Sequence, residues 1–231
     1  MHNRFRRACY ALAGGVAVAA SLGLTAGGAA SASVKPASPA ATTTCGSLCN
    51  DLFNLGLGES FILNTNGRYN GYVDLALAHN YKPSEDFIAT RVGTLRQFIR
   101  NGLISRTSYV ALNYPHYWPV FEDEYAPYSA TSSLCVGVKR GWVRNGAPIV
   151  LRACGVTSRT LWVADLKHAV SDPDSVFGFD WPWVNAADGQ FSHALSLTAN
   201  DFGSLSLRYL AMNGGKVGDN QEFGVNPGPA I

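Results

Sequence analysis

Three groups of residues in this chain have the chemistry to act on a ligand or hold one. Glu122-Asp123-Glu124 is an acidic cluster. Two carboxylates flanking a glycosidic bond cleave it, one as acid and the other as base or nucleophile. Consecutive side chains on a strand alternate faces, however, and three acids in a row are usually solvated. The second group is aromatic. Tyr109 to Tyr128 contains Tyr114, Tyr117, Trp118 and Phe121, and Phe177 to Trp183 contains Trp181 and Trp183. Exposed rings in loops, Trp118, Trp181 and Trp183 above all, are flat apolar platforms for stacking on a sugar; the alternative is that they pack beneath long loops. The third group is polar. Asn64, Tyr69, Asn70, His79 and Asn80 supply the hydrogen-bonding groups of a small pocket; the alternative is a set of ordinary turn residues.

Other chemistry lacks its signature. His116, His168 and His193 stand apart from one another and read as strand or loop residues. There is no Gly-x-Ser-x-Gly elbow, no His-Glu-x-x-His, no phosphate loop and no dinucleotide fingerprint. Acidic oxygens suit calcium, but the spacing of a calcium loop is missing. The expectation is a non-enzymatic protein with no cofactor and no metal.

The elements that must position these residues are mostly strands. In Val73–Leu77, His193–Leu197 and Ser204–Leu207 the large apolar residues fall on every second position, the pattern of half-buried strands. Turn signals separate the runs: Asn66-Gly67, Asn70-Gly71, Asn145-Gly146-Ala147-Pro148, Asp188-Gly189 and Asn213-Gly214-Gly215. Only Asp51 to Leu57, as a short turn, and Thr94 to Leu103 have helical character. The fold class expected is all-β.

Residues 1–32 have the three parts of a bacterial-type secretory signal. Arg4, Arg6 and Arg7 precede an uncharged apolar run from Ala8 to Leu24, and Ala30-Ser31-Ala32 is a small-residue cleavage pattern. The Arg6-Arg7 pair leaves ordinary and twin-arginine export both open. Residues 33–44 read as a flexible leader, and residues 45–231 as one domain. Removing the signal takes away three arginines and leaves 15 basic and 16 acidic residues, a net charge of −1. That balance gives no electrostatic case for nucleic acid or an anionic membrane. Four cysteines remain, an even number that in an exported chain implies two disulfides with three connectivities. Cys45–Cys49 and Cys135–Cys154 are favoured because each pair is local.

The chain also repeats itself. Three stretches share a strand, a Gly/Asn turn, an alternating strand and a polar stretch ending in an aromatic. They end at Phe87, Trp162 and Phe223, 75 and 61 positions apart. The second stretch, LCVGVKRGWVRNGAPIVLRACGVTSRTLWVAD, resembles one repeat of a ricin-type lectin β-trefoil. Leu134-Cys135, Asn145-Gly146-Ala147-Pro148, Cys154 and Arg159-Thr160-Leu161-Trp162 take the places of that family's conserved features, and Gln221-Glu222-Phe223 resembles the ending again. The resemblance implies an irregular β-trefoil with residues 95–130 and 165–190 as insertions. It also implies carbohydrate binding, with an extracellular or cell-wall glycan as partner. The family's sugar sites use an acidic residue and a stacking aromatic. Here those places hold Gly137 and Arg152 in the second unit, and Asn64 and Ala76 in the first. These departures keep a second reading open, a protein-binding or protease-inhibitory β-trefoil. Glu122, Asp123 and Glu124 keep a third open, a glycoside hydrolase.

Overall fold

The alternating segments form strands in three sets of four. The computed structural model describes residues 52–78, 82–127, 133–141, 143–187 and 193–226. The first set is β1 (Leu52–Asn54), β2 (Gly58–Thr65), β3 (Val73–Leu77) and β4 (Phe87–Thr94). Two short helices follow, α1 (Leu95–Arg100) and α2 (Tyr109–Asn113). The second set is β5 (Pro119–Tyr125), β6 (Leu134–Val138), β7 (Ala147–Ala153) and β8 (Trp162–Ala164). A small hairpin, β9 (Val170–Ser171) and β10 (Phe179–Asp180), leads to the third set. That set begins with β11 (Trp183–Asn185), β12 (Leu195–Ala199) and β13 (Leu205–Tyr209). After the hairpin of β14 (Met212–Asn213) and β15 (Lys216–Val217), it ends with β16 (Phe223–Val225).

The first and last strands of each set build a barrel. Antiparallel ladders join β4 to β5, β5 to β8, β8 to β11 and β16 to β1. A bridge between Trp181 and Phe223 links the approach to β11 with β16. The middle strands of each set pair as hairpins, β2–β3, β6–β7 and β12–β13. Each hairpin turn docks on the next hairpin through its backbone. Asn70 N donates to Leu151 O and Leu151 N to Gly71 O; Gly146 N donates to Leu207 O; Leu75 N donates to Gly203 O, at 2.7–2.9 Å. Leu75, Leu151 and Leu207 are equivalent and all buried. The chain is thus an all-β, irregular β-trefoil, and the threefold pattern read in the sequence is the pattern of its strands.

The aromatic ends of the repeats explain one another. Phe87, Trp162 and Phe223 each open the fourth strand of a set, separated by a single residue from a 3-10 turn: Pro83–Glu85, Ser158–Thr160 and Asp219–Gln221. All three side chains are buried in one core cluster. The Trp162 indole carries a polar N–H into that core, and it donates to Val136 O at 3.0 Å.

The first insertion covers the outside of the barrel. Phe121, Trp162 and Trp183 point into the main core, while their strand neighbours Val120, Val163 and Val184 join a second cluster with Leu95, Ile104, Val110 and Trp118. Alternation sends successive side chains to opposite faces, so strands covered on both faces are apolar throughout. Thr94 caps α1 through a box with Gln97, and the Ser108 hydroxyl caps α2 by accepting from Ala111 N.

Several expectations are corrected here. Leu52–Asn54 is a barrel strand, not a helical turn. The helix expected over Thr94–Leu103 is confined to Leu95–Arg100, and α2 is an additional one. The inserted segments are 95–118 and 165–182, because Pro119–Tyr125 and Trp183–Asn185 belong to the barrel. Cys135 and Cys154 form a disulfide, with Cα atoms 5.1 Å apart, across the β6–β7 hairpin. Closing a loop of that length stabilises by about 3 kcal/mol in the chain-entropy model. Cys45 and Cys49 lie outside the described residues, as do the signal and leader. No helix among the described residues is long and apolar enough to cross a membrane.

Two glycines test the docking of the hairpins. Gly146 and Gly203 both have positive φ, +83° and +82°. A Cβ on Gly146 meets open space, whereas one on Gly203 collides with the Leu75 carbonyl oxygen. Gly146→Ala is expected to cost about 1 kcal/mol, the left-handed backbone term. Gly203→Ala is expected to cost roughly 2 kcal/mol or more, because the backbone must also shift. Urea unfolding of both variants measures the difference.

Candidate functional site

Strand register places an equivalent group of positions in each set. Opposite one another near the end of each hairpin lie Asn64 and Asp74, Gly137 and Val150, Thr198 and Ser206. Two residues further out on the third strand are Ala76, Arg152 and Arg208. The 3-10 turn beneath contributes Ser84-Glu85, Arg159-Thr160 and Asn220-Gln221. The equivalence of Asn64 with Gly137, and of Ala76 with Arg152, follows the sequence alignment. Thr198 and Arg208, their counterparts in the third set, were missed. The alternation of Leu195 with Leu197 and Leu205 with Leu207, counted from Asn220-Gln221, was the signal that would have found them.

The three positions differ in what fills them. In the second set the space is occupied. A Cβ on Gly137 would lie 2.9 Å from Arg159 O and 3.1 Å from Arg152 Cγ. The buried Arg152 donates from Nη1 to Asn70 Oδ1 at 3.1 Å and lies over the Tyr69 ring at 5.3 Å. Tyr69 and Asn70, expected in a pocket with Asn64, instead belong to the turn that plugs the second set. Asn64 stays with its own set and donates from Nδ2 to Ser84 Oγ and Glu85 Oε1 at 3.3 and 3.4 Å. His79 and Asn80 lie outside the described residues.

The third set keeps an open pocket of about 550 Å³. Gln221 forms its floor. Its buried amide donates to Thr198 Oγ1 (2.8 Å) and Tyr209 O (3.0 Å), and its oxygen accepts from Ala211 N (2.7 Å). Ser206, Arg208, Asn200, Asp201 and Tyr209 line the walls. Arg208 Nε donates to Ser206 Oγ at 3.2 Å, which leaves the two Nη groups of its fork. Phe202, next to Asp201 at the hairpin tip, is 91% exposed.

A second cleft, of about 720 Å³, opens where the two insertions meet the residues just before β12 and just after β13. At its base is Asp165, fully buried. Its Oδ2 accepts from the Tyr114 hydroxyl at 2.8 Å and lies 2.9 Å from His168 Nδ1, and its Oδ1 accepts from Lys167 N at 3.1 Å. Burial first, then the Asp165 carboxylate, pushes the Tyr114 phenol far above its usual range, so it stays a donor. The Tyr109 and Tyr114 rings meet edge to face at 6.0 Å, and Tyr114 lies 4.8 Å from Trp118. His168, expected to stand alone, is therefore held by a carboxylate.

The remaining candidates are structural. Trp181 and Trp183 are 4% and 1% exposed, packed in tilted contact with Phe121 at 5.7 and 5.3 Å. Rings so enclosed offer no face to a sugar, and their place as exposed platforms is corrected accordingly. Trp118 is 7% exposed and serves as backing for the second cleft. On β5, Asp123 is buried while Glu122 and Glu124 are partly exposed, the alternation expected of a strand. Glu122 Oε1 accepts from Gly155 N and Thr160 Oγ1, both at 2.7 Å, and thereby ties the turn after the disulfide to the 3-10 turn.

No protein-family model matches the chain, and no curated protein matches it. Among solved structures the chain is similar to a designed 3-fold symmetric protein, ThreeFoil, at 12% identity and a TM-score of 0.47, over 77% of this chain and 96% of that one.

Glu222 borders a smaller cavity shared with His168, Lys216 and Asp219. Burial pushes its carboxyl up from 4.5 to about 7; Asp219 adds to the rise, and His168 and Lys216 oppose it. The folded chain holds this proton where the unfolded chain has released it. Stability therefore falls as pH rises from about 4.5 to about 7, and this contribution is constant above that. Glu222→Gln is expected to lose less stability than the wild type between about pH 5 and about pH 8, as measured by urea unfolding.

Proposed function

We propose that this is a secreted, non-enzymatic protein that binds carbohydrate on an extracellular or cell-wall polymer, and that the pocket of the third strand set is its principal site. The observation that carries this reading is the contrast among the sets. The second is plugged by Arg152 and the Tyr69-Asn70 turn, while the third keeps open space lined by a forked cation, hydroxyls, an amide and a carboxylate. A sugar presents paired hydroxyls that donate and accept, and apolar ring faces between them. The Arg208 fork and Asp201 match the hydroxyls, while Tyr209 and the exposed Phe202 match the faces. The ricin-type resemblance of the second and third units, and the signal-like first 32 residues, support the same reading.

Purified mature protein is expected to be depleted from solution by one or more of a panel of insoluble polysaccharides and cell walls, and to be released by soluble competitors. Arg208→Ala is expected to weaken that binding about tenfold or more, the size of a lost charged hydrogen bond. Phe202→Ala is expected to weaken it without changing thermal stability. Folded protein that no polymer depletes sinks the carbohydrate reading and moves the function to a protein partner, with the exposed hairpin tip as the surface to test.

A further inference from the structure

The two open clefts share one wall. The backbone from Tyr209 to Met212 is the tail of β13 and the start of β14. Tyr209 and Ala211 line the third-set pocket, while Leu210 and Met212 line the cleft at the insertions. The wall is thickened by ring contact, with His193 5.5 Å from Tyr209. An extended strand is narrow, spaced roughly 4.8 Å from its neighbour, so a ligand emerging from one cleft meets the other after crossing a single chain.

Their linings are of one kind. Both volumes fall within the roughly 300–1,000 Å³ of small-molecule sites. Each combines aromatic surface with fixed polar groups. In the insertion cleft Tyr109 and Tyr114 supply the rings, and the exposed Asn113, whose Nδ2 donates to Tyr109 O at 2.9 Å, has its Oδ1 left as an acceptor. Asp165 is spent on Tyr114, His168 and Lys167 N, so it orients His168 rather than presenting a bare negative charge. With Nδ1 on Asp165, His168 has Nε2 left as its second hydrogen-bonding atom. The exposed Lys167 adds a further donor to this lining, so the cleft suits a hydroxyl-rich ligand and disfavours a cation.

Resting on the carbohydrate reading, we infer that the ligand is a linear glycan chain. One part of it occupies the third-set pocket, and a further part crosses the Tyr209–Met212 wall into the insertion cleft. The insertions then act as an extension of the trefoil site that selects for chain length. Filling the second cleft after the first is an intramolecular step, so affinity grows with length without any change at the first.

The test is calorimetric titration of the mature protein with chito-, cello- and xylo-oligosaccharides, each from monosaccharide to hexamer. The expected result is a series in which affinity rises at least about tenfold with length. The double variant Tyr109→Ala, Asn113→Ala flattens the rise and keeps the wild-type affinity for the shortest ligand that binds. Tyr109→Phe with Asn113 intact keeps the rise. Thermal melting of each variant confirms that it is folded. Affinity independent of length, or a rise unchanged in the double variant, overturns the inference and leaves carbohydrate binding standing. No binding at any length by wild-type protein overturns both.

Discussion

The docking of each hairpin turn on the next hairpin governs the rest of this structure. Asn70-Gly71, Gly146 and Gly203 reach the backbones of Leu151, Leu207 and Leu75 in turn, and the three links close a triangle. Backbone hydrogen bonds of this kind leave no freedom of register. A slip by one residue would turn each leucine from the core to the surface. With the triangle set, the 3-10 turns fall beneath the hairpins, and Phe87, Trp162 and Phe223 enter the core from three sides. The close approach at Gly203 shows how little room the arrangement allows.

Upon this regular frame the insertions do two different things. The 95–118 segment covers the outer faces of β5, β8 and β11, burying Val120, Val163 and Val184 beneath Leu95, Ile104 and Val110. Fully burying side chains of this size contributes about 1.5–3 kcal/mol each, and the barrel there becomes an interior layer. The 165–182 segment places Asp165 against Tyr114 and so makes a polar cleft at the seam of an otherwise apolar contact. Open polar clefts in this chain therefore arise at two kinds of place. One is a position of the threefold plan, left open in the third set; the other is the junction of segments that the plan does not include.

The sequence made the threefold plan readable because its marks are local. Leu134-Cys135, Asn145-Gly146 and Trp162 lie within one hairpin, and Asn64, Ala76, Gly137 and Arg152 occupy the positions the repeat assigned them. Marks that depend on distant partners were not readable. Leu52–Asn54 looks like a short helical turn until β16 is beside it; Asn54 bonds to Glu222 across 168 positions. Tyr114 and Asp165 are 51 positions apart, so the buried carboxylate that also holds His168 was not legible as a site. Trp181 and Trp183 looked like loop platforms because two-faced burial erases the polar half of the strand pattern. Glu122 and Glu124 did keep the alternation that a strand requires.

The closing side of the hairpin triangle also sets when the molecule can finish folding. Leu205 N donates to Asp74 Oδ1 across 131 positions, and the Leu75–Gly203 link spans nearly as many. Contacts between such distant segments carry a large loop-closure entropy and slow the search for the native state. The first hairpin cannot acquire its final neighbour until almost the whole chain is available. A chain still emerging from the ribosome thus lacks the closing contact, and the trefoil is completed only once the third hairpin has arrived.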